Sequence, residues 1–193
     1  MIGHTHIVAI TGGIGSGKSV VSRILRCMGY PVYDCDSEAR RLMDGSAEIL
    51  SRIAGEISPD AIGADGRLRR DVLSAMVFSD SSKLQCLNAI VHGAVRKHLL
   101  STVASCGSPL FFFETAILYE SGFDSIADDV WEVTAPKCER VARVKSRSGL
   151  SADEIDRRMA SQKTPSFPHH RIIHNSSTDA LLPQILALTN EQR

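Results

Sequence analysis

Hydrophobic positions change their period several times along this chain, and the changes mark its elements. The run Ile7-Val8-Ala9-Ile10 is apolar throughout, as a strand buried on both faces requires. Val20, Val21, Ile24, Leu25 and Met28 then recur at helical spacing, and Gly29 followed by Pro31 stops that helix. Pro31-Val32-Tyr33-Asp34-Cys35-Asp36 reads as a second strand whose alternation sets Asp34 and Asp36 on one face. Ser37 is placed to cap the next helix. Residues 46–105 carry helical stripes and no good strand. Ile49, Leu50 and Ile53 form the first stripe, and Val72, Leu73, Met76 and Val77 follow Arg69-Arg70 as the second. Leu84, Leu87, Val91, Val95 and Leu99 line a longer helix that starts at Ser81 or Ser82 and ends at Gly107 and Pro109. Asp65-Gly66 marks a turn between the stripes. So much helix exceeds one crossover and predicts an inserted helical domain. Leu110-Phe111-Phe112-Phe113-Glu114 is a continuous apolar run suited to a central parallel strand, and Asp129–Thr134 is the fourth strand. Ile172-Ile173, flanked by Arg171 and His174, makes a short fifth. Leu181, Leu182, Ile185, Leu186 and Leu188 form a last helix with Pro183 in its first turn.

Chemistry enters between the first strand and the first helix. Gly12, Gly17, Lys18 and Ser19 fit G-x-x-x-x-G-K-[ST], the P-loop pattern, with strand before and helix after as its mechanism requires. Glycines let successive N–H groups converge on phosphate oxygens. The helix start adds its positive end, Lys18 reaches the β- and γ-phosphates, and the Ser19 hydroxyl ligates Mg²⁺. In an open α/β sheet ligands sit beyond the carboxyl ends of the strands. Asp36, read as a strand end, therefore either faces the P-loop crevice or only caps a helix. Glu114 and Glu120 are crevice candidates too, with Ile117, Leu118 and Tyr119 placed to pack on substrate. His92 and Arg96 lie at i, i+4 on the long helix, which suits either a binding face or a solvated one. Arg140, Arg143 and Arg147 share one helical face after the fourth strand. Ser151-x-x-Glu154 is a capping-box signature for a further helix. These helices read as a basic lid or as an ordinary solvated face. The lid reading gains force because closure over a transferring phosphate needs positive groups.

Composition narrows the classes. The chain has 193 residues, with 22 Lys+Arg against 22 Asp+Glu, a formal net charge of zero that disfavours a general nucleic-acid or membrane-surface binder. Five scattered cysteines without a C-x-x-C pair fit reduced thiols in cytosol. No segment reaches transmembrane length, and the N-terminus shows no signal-peptide pattern. Pro168 and the strand pattern around Ile172-Ile173 argue against a helical ligand pair among His169, His170 and His174. A nucleotide switch is disfavoured by the absence of N-K-x-D. The D-x-x-G at residues 60–63 has no apolar strand before it.

Taken in order, these blocks resemble the dephospho-coenzyme A kinase family over nearly the whole chain. The residues that carry the resemblance are Thr11 to Ser19, Asp34-Cys35-Asp36, Asp65-Gly66 with Arg70 and Leu73, Val77-Phe78 and His92. Ile117-Leu118-Tyr119-Glu120, Arg143 and Arg147, Gln162, and Ile173-His174-Asn175 complete the set. Val20, Gly93, Ala116 and His169-His170 depart from the family pattern, but none of the departures removes a group assigned to chemistry. The resemblance implies a P-loop NTPase-type three-layer α/β fold: a five-stranded parallel sheet with helices on both faces. Residues 1–36, 108–136 and 164–193 would form the nucleotide-binding core, 37–107 a helical CoA-substrate subdomain and 137–163 a helical lid. It implies transfer of the γ-phosphate of ATP, with Mg²⁺, to the ribose 3′-hydroxyl of dephospho-CoA, the last step of coenzyme A biosynthesis. Another P-loop small-molecule kinase, for a nucleoside or nucleotide, is the alternative. Lys18, Asp36, Arg143 and Arg147 are the implied catalytic residues. Gly13, Gly15, Ser16, Gly17, Lys18, Ser19, Val20 and Asn175 would bind nucleotide, with Ser19 on the metal. Asp36, Arg70, His92, Arg96, Leu118 and Glu120 would bind dephospho-CoA. A cytoplasmic monomer without nucleic-acid or membrane partners is expected.

Overall fold

Five parallel strands form the sheet of the computed structural model, which describes residues 5–148, 152–160 and 170–192. They are β1 (His6–Thr11), β2 (Val32–Asp34), β3 (Leu110–Glu114), β4 (Asp129–Thr134) and β5 (His170–His174), in the order β2-β3-β1-β4-β5. The helices are α1 (Lys18–Cys27), α2 (Cys35–Gly45), α3 (Ala47–Glu56), α4 (Arg70–Ser79), α5 (Ser81–Cys106), α6 (Lys137–Ser148), α7 (Ala152–Ala160) and α8 (Leu181–Glu191). By compactness the chain divides into Met1–Asp34 with Cys106–Arg193, and Cys35–Ser105.

The first unit holds the whole sheet. β1 lies at its centre, with β3 on one side and β4 on the other. Its apolar run follows from that position: Val8, Ala9 and Ile10 have no solvent exposure. β3 is buried along its full length for the same reason. Val21 and Leu25 of α1 and Ile185 of α8 pack with Val8, Ile10, Phe112, Trp131, Val133 and Ile173 in one core. Trp131 is wholly buried and meets Phe112 edge-on, with ring centroids 5.1 Å apart. Trp131→Ala is expected to cost about 3–5 kcal/mol. Urea unfolding of the variant checks this.

The second unit is helical. Ile49 and Ile53 of α3, Leu73 of α4 and Ile90 of α5 meet in its own core, with Ile57 and Ala61 from the connection. Ser46 caps α3 by accepting from the Ile49 N–H. The Asp65-Gly66 turn forms as its residues require: Gly66 takes φ +75°, and Asp65 Oδ1 accepts from the Arg67 N–H at 3.1 Å. The only extended pairing among this unit's described residues is the isolated bridge Ile62–Leu68. No described helix is long and apolar enough to cross a membrane.

One boundary differs from the sequence pattern in a way that matters. β2 stops at Asp34, and α2 begins at Cys35, so Asp36 is not a strand end and does not share a strand face with Asp34. Ser37 lies inside α2 and is not its cap. β2 is an edge strand that pairs only with β3, and their register closes at Asp34 opposite Glu114. With no further ladder to join, the chain turns into helix, and Asp36 falls in the first turn, where an acid favours the helix dipole.

Candidate active site

The carboxyl ends of the strands collect the polar groups of the sheet unit. Strands β2 and β3 lie on one side of β1, and β4 and β5 on the other, so the topology reverses at β1, where α/β sheets form their binding crevice. Residues 12–17 leave that point. Gly12, Gly15 and Gly17 have φ values of +143°, +78° and +103°, which side-chain-bearing residues rarely adopt. A Cβ on Gly12 would also collide with the Val133 carbonyl oxygen. Gly17 then leads into α1 with no side-chain cap, so α1 offers its N-terminal backbone to the loop. The Ser16 N–H donates to the Gly13 carbonyl at 3.0 Å and tightens the turn. Lys18, the first residue of α1, folds its Nζ back to donate to the Gly12 carbonyl at 2.7 Å.

Ser19 joins the loop to the sheet. Its Oγ donates to Glu114 Oε1 at 2.8 Å, across 95 residues of sequence. Glu114 ends β3, is 7% exposed, and its second oxygen, Oε2, is buried with no hydrogen-bond partner among the described residues. A desolvated carboxylate oxygen without a donor is costly, and a cation beside it removes the cost. Ser19 hydroxyl and Glu114 carboxylate are hard oxygen donors of the kind Mg²⁺ takes. The residues present therefore fit that ion. Asp34 is the register partner of Glu114, so two carboxylates close adjacent strands at this edge.

The far side of the loop rests on α6. Arg140 Nε donates to the Ile14 carbonyl at 2.9 Å, and its guanidinium fills the space a Cβ on Gly13 would take. Burial pushes that guanidinium below its ordinary value, and the Glu132 carboxylate opposes the shift. Arg143 points Nη1 at the Gly15 and Ser16 carbonyls, at 3.5 and 3.4 Å, and donates Nη2 to the Asn175 carbonyl and to Glu139 Oε2, each at 2.8 Å. Glu139 Oε1 accepts from the Ser177 N–H and hydroxyl, both at 3.2 Å. Asn175, just after β5, donates Nδ2 to the Ser16 carbonyl at 2.7 Å and sits where a Cβ on Gly17 would go. Outward-facing carbonyls are thus held by an amide and two arginines.

The remaining candidates fall elsewhere. Val20 is exposed on α1, and Arg147 is exposed in the last turn of α6. Leu118, a candidate substrate contact, is 1% exposed. The exposed apolar residue of that stretch is its neighbour Ile117, at 37%. Glu120 is exposed. In the helical unit, Asp36 is exposed on α2, and Arg70 at the start of α4 pairs with Asp44 at 2.7 Å. His92 and Arg96 are both half-buried on α5, and burial pushes the His92 imidazole below its ordinary value. Gln162, His169 and the Ser151 half of the capping box lie outside the described residues, as do residues 149–151 and 161–163 of the expected lid. The sequence pattern marks Arg140 only as part of the basic face of a lid and does not mark Glu139. The Glu139–Arg143 spacing of i, i+4 was the available signal for Glu139.

Comparisons with known proteins agree with one another. The family model for dephospho-CoA kinase matches residues 6–177. A dephospho-CoA kinase of Porphyromonas gingivalis is 40% identical over 191 residues, 96% of this chain and 94% of that protein. One of Thermus thermophilus is 43% identical over 152 residues, 79% of this chain and 72% of that protein. A crystal structure from Thermus thermophilus superposes with TM-score 0.80 at 37% identity, covering 98% of each chain. A dephospho-CoA kinase structure from Campylobacter jejuni shares the fold, with TM-score 0.66 at 22% identity, over 98% of this chain and 97% of that one.

Proposed function

This chain belongs to the dephospho-CoA kinase family, an ATP-dependent transferase family of coenzyme A biosynthesis, and from that membership we propose how its own residues divide the work. ATP and dephospho-CoA are the substrates, and phosphate passes from ATP to the ribose 3′-hydroxyl. The observation that carries the division is the P-loop on β1, with Ser19 bonded to a buried Glu114.

The loop N–H groups and the start of α1 bind the ATP phosphates, and Lys18 reaches the transferring one. Gly13, Gly15, Ser16 and Gly17 form the cradle, with Val20 beside it. Asn175 serves the nucleotide by holding the loop through the Ser16 carbonyl. Ser19 and Glu114 would hold Mg²⁺, which would supply positive charge to offset that of the phosphates. Asp34 stands in the same unit as the P-loop, in register with Glu114. That placement supports Asp34, ahead of Asp36, as the carboxylate that orients the acceptor hydroxyl. Arg143 is engaged with loop carbonyls, which supports a positioning role. Arg147 is exposed, and it is the arginine suited to reach the transferring phosphate from a lid over residues 137–163. The helical unit takes dephospho-CoA, with Asp36, Arg70, His92 and Arg96 as its polar contacts and Glu120 contributing from the sheet unit. The protein works as a cytoplasmic monomer.

A phosphoryl-transfer assay with dephospho-CoA and ATP, run beside a panel of nucleosides, tests the substrate. Preference for a nucleoside would overturn it. Glu114→Gln tests the metal assignment. The change keeps the shape and removes the charge, so the Mg²⁺ concentration for half-maximal turnover is expected to rise about 10–100-fold. An unchanged Mg²⁺ dependence would leave Glu114 as a structural partner of Ser19 only.

A further inference from the structure

We infer that Arg140 is a positioning residue for the phosphate loop: it holds residues 13–15 from behind, in the shape that binds ATP. The inference rests on the reading of residues 12–19 as the ATP-phosphate site.

Three consecutive loop residues touch this one side chain and its backbone. Ile14 gives its carbonyl to Arg140 Nε at 2.9 Å. Gly13 leaves room for the guanidinium, which lies where its Cβ would stand. A Cβ on Gly15 would come within 2.5 Å of the Arg140 carbonyl oxygen. A loop that presents N–H groups to an anion has to turn its carbonyls outward, and those carbonyls need donors. A guanidinium supplies a directed donor and a fixed positive charge in one group. It is half-buried between the loop and Glu132, where the bond to Ile14 is poorly replaced by water. Its effect passes through the Gly13–Gly15 backbone.

The geometry also supplies its own test. Gly13 is not among the positive-φ glycines, so alanine fits its backbone. The nearest atoms to an added methyl all belong to the Arg140 guanidinium. Gly13→Ala therefore acts mainly by displacing Arg140. Arg140→Ala, Gly13→Ala and the double variant of the full chain should be compared by ATP titration calorimetry and by steady-state kinetics. Arg140→Ala is expected to raise the ATP Kd and KM about ten- to a hundredfold, the range for a hydrogen bond from a charged group. The KM for dephospho-CoA should stay within about twofold, the ordinary scatter of a site left untouched. A merely destabilised chain would lose active protein, and so kcat, without moving the KM for ATP alone. Gly13→Ala should weaken ATP in the same direction, and the double variant should bind no worse than Arg140→Ala. Folded Arg140→Ala binding ATP like the parent chain would overturn the inference, and so would Gly13→Ala and Arg140→Ala losses that multiply. Lys18→Ala is the control. If it handles ATP normally, the P-loop reading fails and takes this inference with it. If it is impaired while Arg140→Ala is not, only the inference fails.

Discussion

Lys18→Ala is expected to lower turnover by about 10²–10³-fold, the cost of removing one preorganised donor to transition-state charge. The ammonium enters the site from the first residue of α1, directly after the glycine-rich turn of residues 12–17. As phosphate transfers, negative charge spreads over its oxygens, and a fixed cation there lowers the barrier. The fold should survive. Lys18 is half-buried, donates to the Gly12 carbonyl of the same loop, and is not a member of the apolar core of the sheet unit. The measurements are single-turnover rate and thermal midpoint on the same preparation. Near-normal turnover in a folded variant would remove the P-loop assignment. A midpoint lowered by many degrees would show that the lysine acts on the loop's stability as well.

How much of this was legible beforehand depends on the range of the interaction. β3 and β4 were readable to the residue, because a strand buried on both faces is a short apolar run with marked ends. The P-loop was readable because its chemistry is local: each glycine answers a backbone angle within its own turn. The end of β2 was not. Val32-Tyr33-Asp34-Cys35-Asp36 keeps an alternating pattern past the point where β3 stops pairing, and sequence alone does not reveal where the partner ends. The neighbours Ile117 and Leu118 show a related limit. Apolar neighbours such as Ile117 and Leu118 look alike until the turn after β3 buries one and exposes the other. The arginines of α6 show the same limit. Their shared face was visible in the i, i+3, i+7 spacing, but the loop carbonyls that Arg140 and Arg143 face lie more than 120 residues away. Glu114 was visible as a strand-end carboxylate, and its pairing with Ser19 was not.

Asp34→Asn is expected to lower kcat by about 10²–10⁴-fold, the range for a positioned acid or base, while ATP affinity changes little. Asn has the same shape, so the end of β2 and its register with Glu114 should persist. What is lost is the charge that orients the acceptor hydroxyl and takes its proton. Because the transition state is largely dissociative, much of the loss should come from positioning, and a weak dependence of the residual rate on pH is expected. Asp36→Asn is the paired measurement. Asp36 is exposed in the first turn of α2. Its loss should appear mainly in the KM for dephospho-CoA. Three outcomes separate the roles. A kcat collapse in Asp34→Asn with ATP binding intact assigns the hydroxyl to Asp34. The same collapse in Asp36→Asn alone moves the hydroxyl to the helical unit, two residues along the chain. Loss of Mg²⁺-dependent ATP binding in Asp34→Asn joins Asp34 to Glu114 as a metal support, since two adjacent strand-end carboxylates then share one ion.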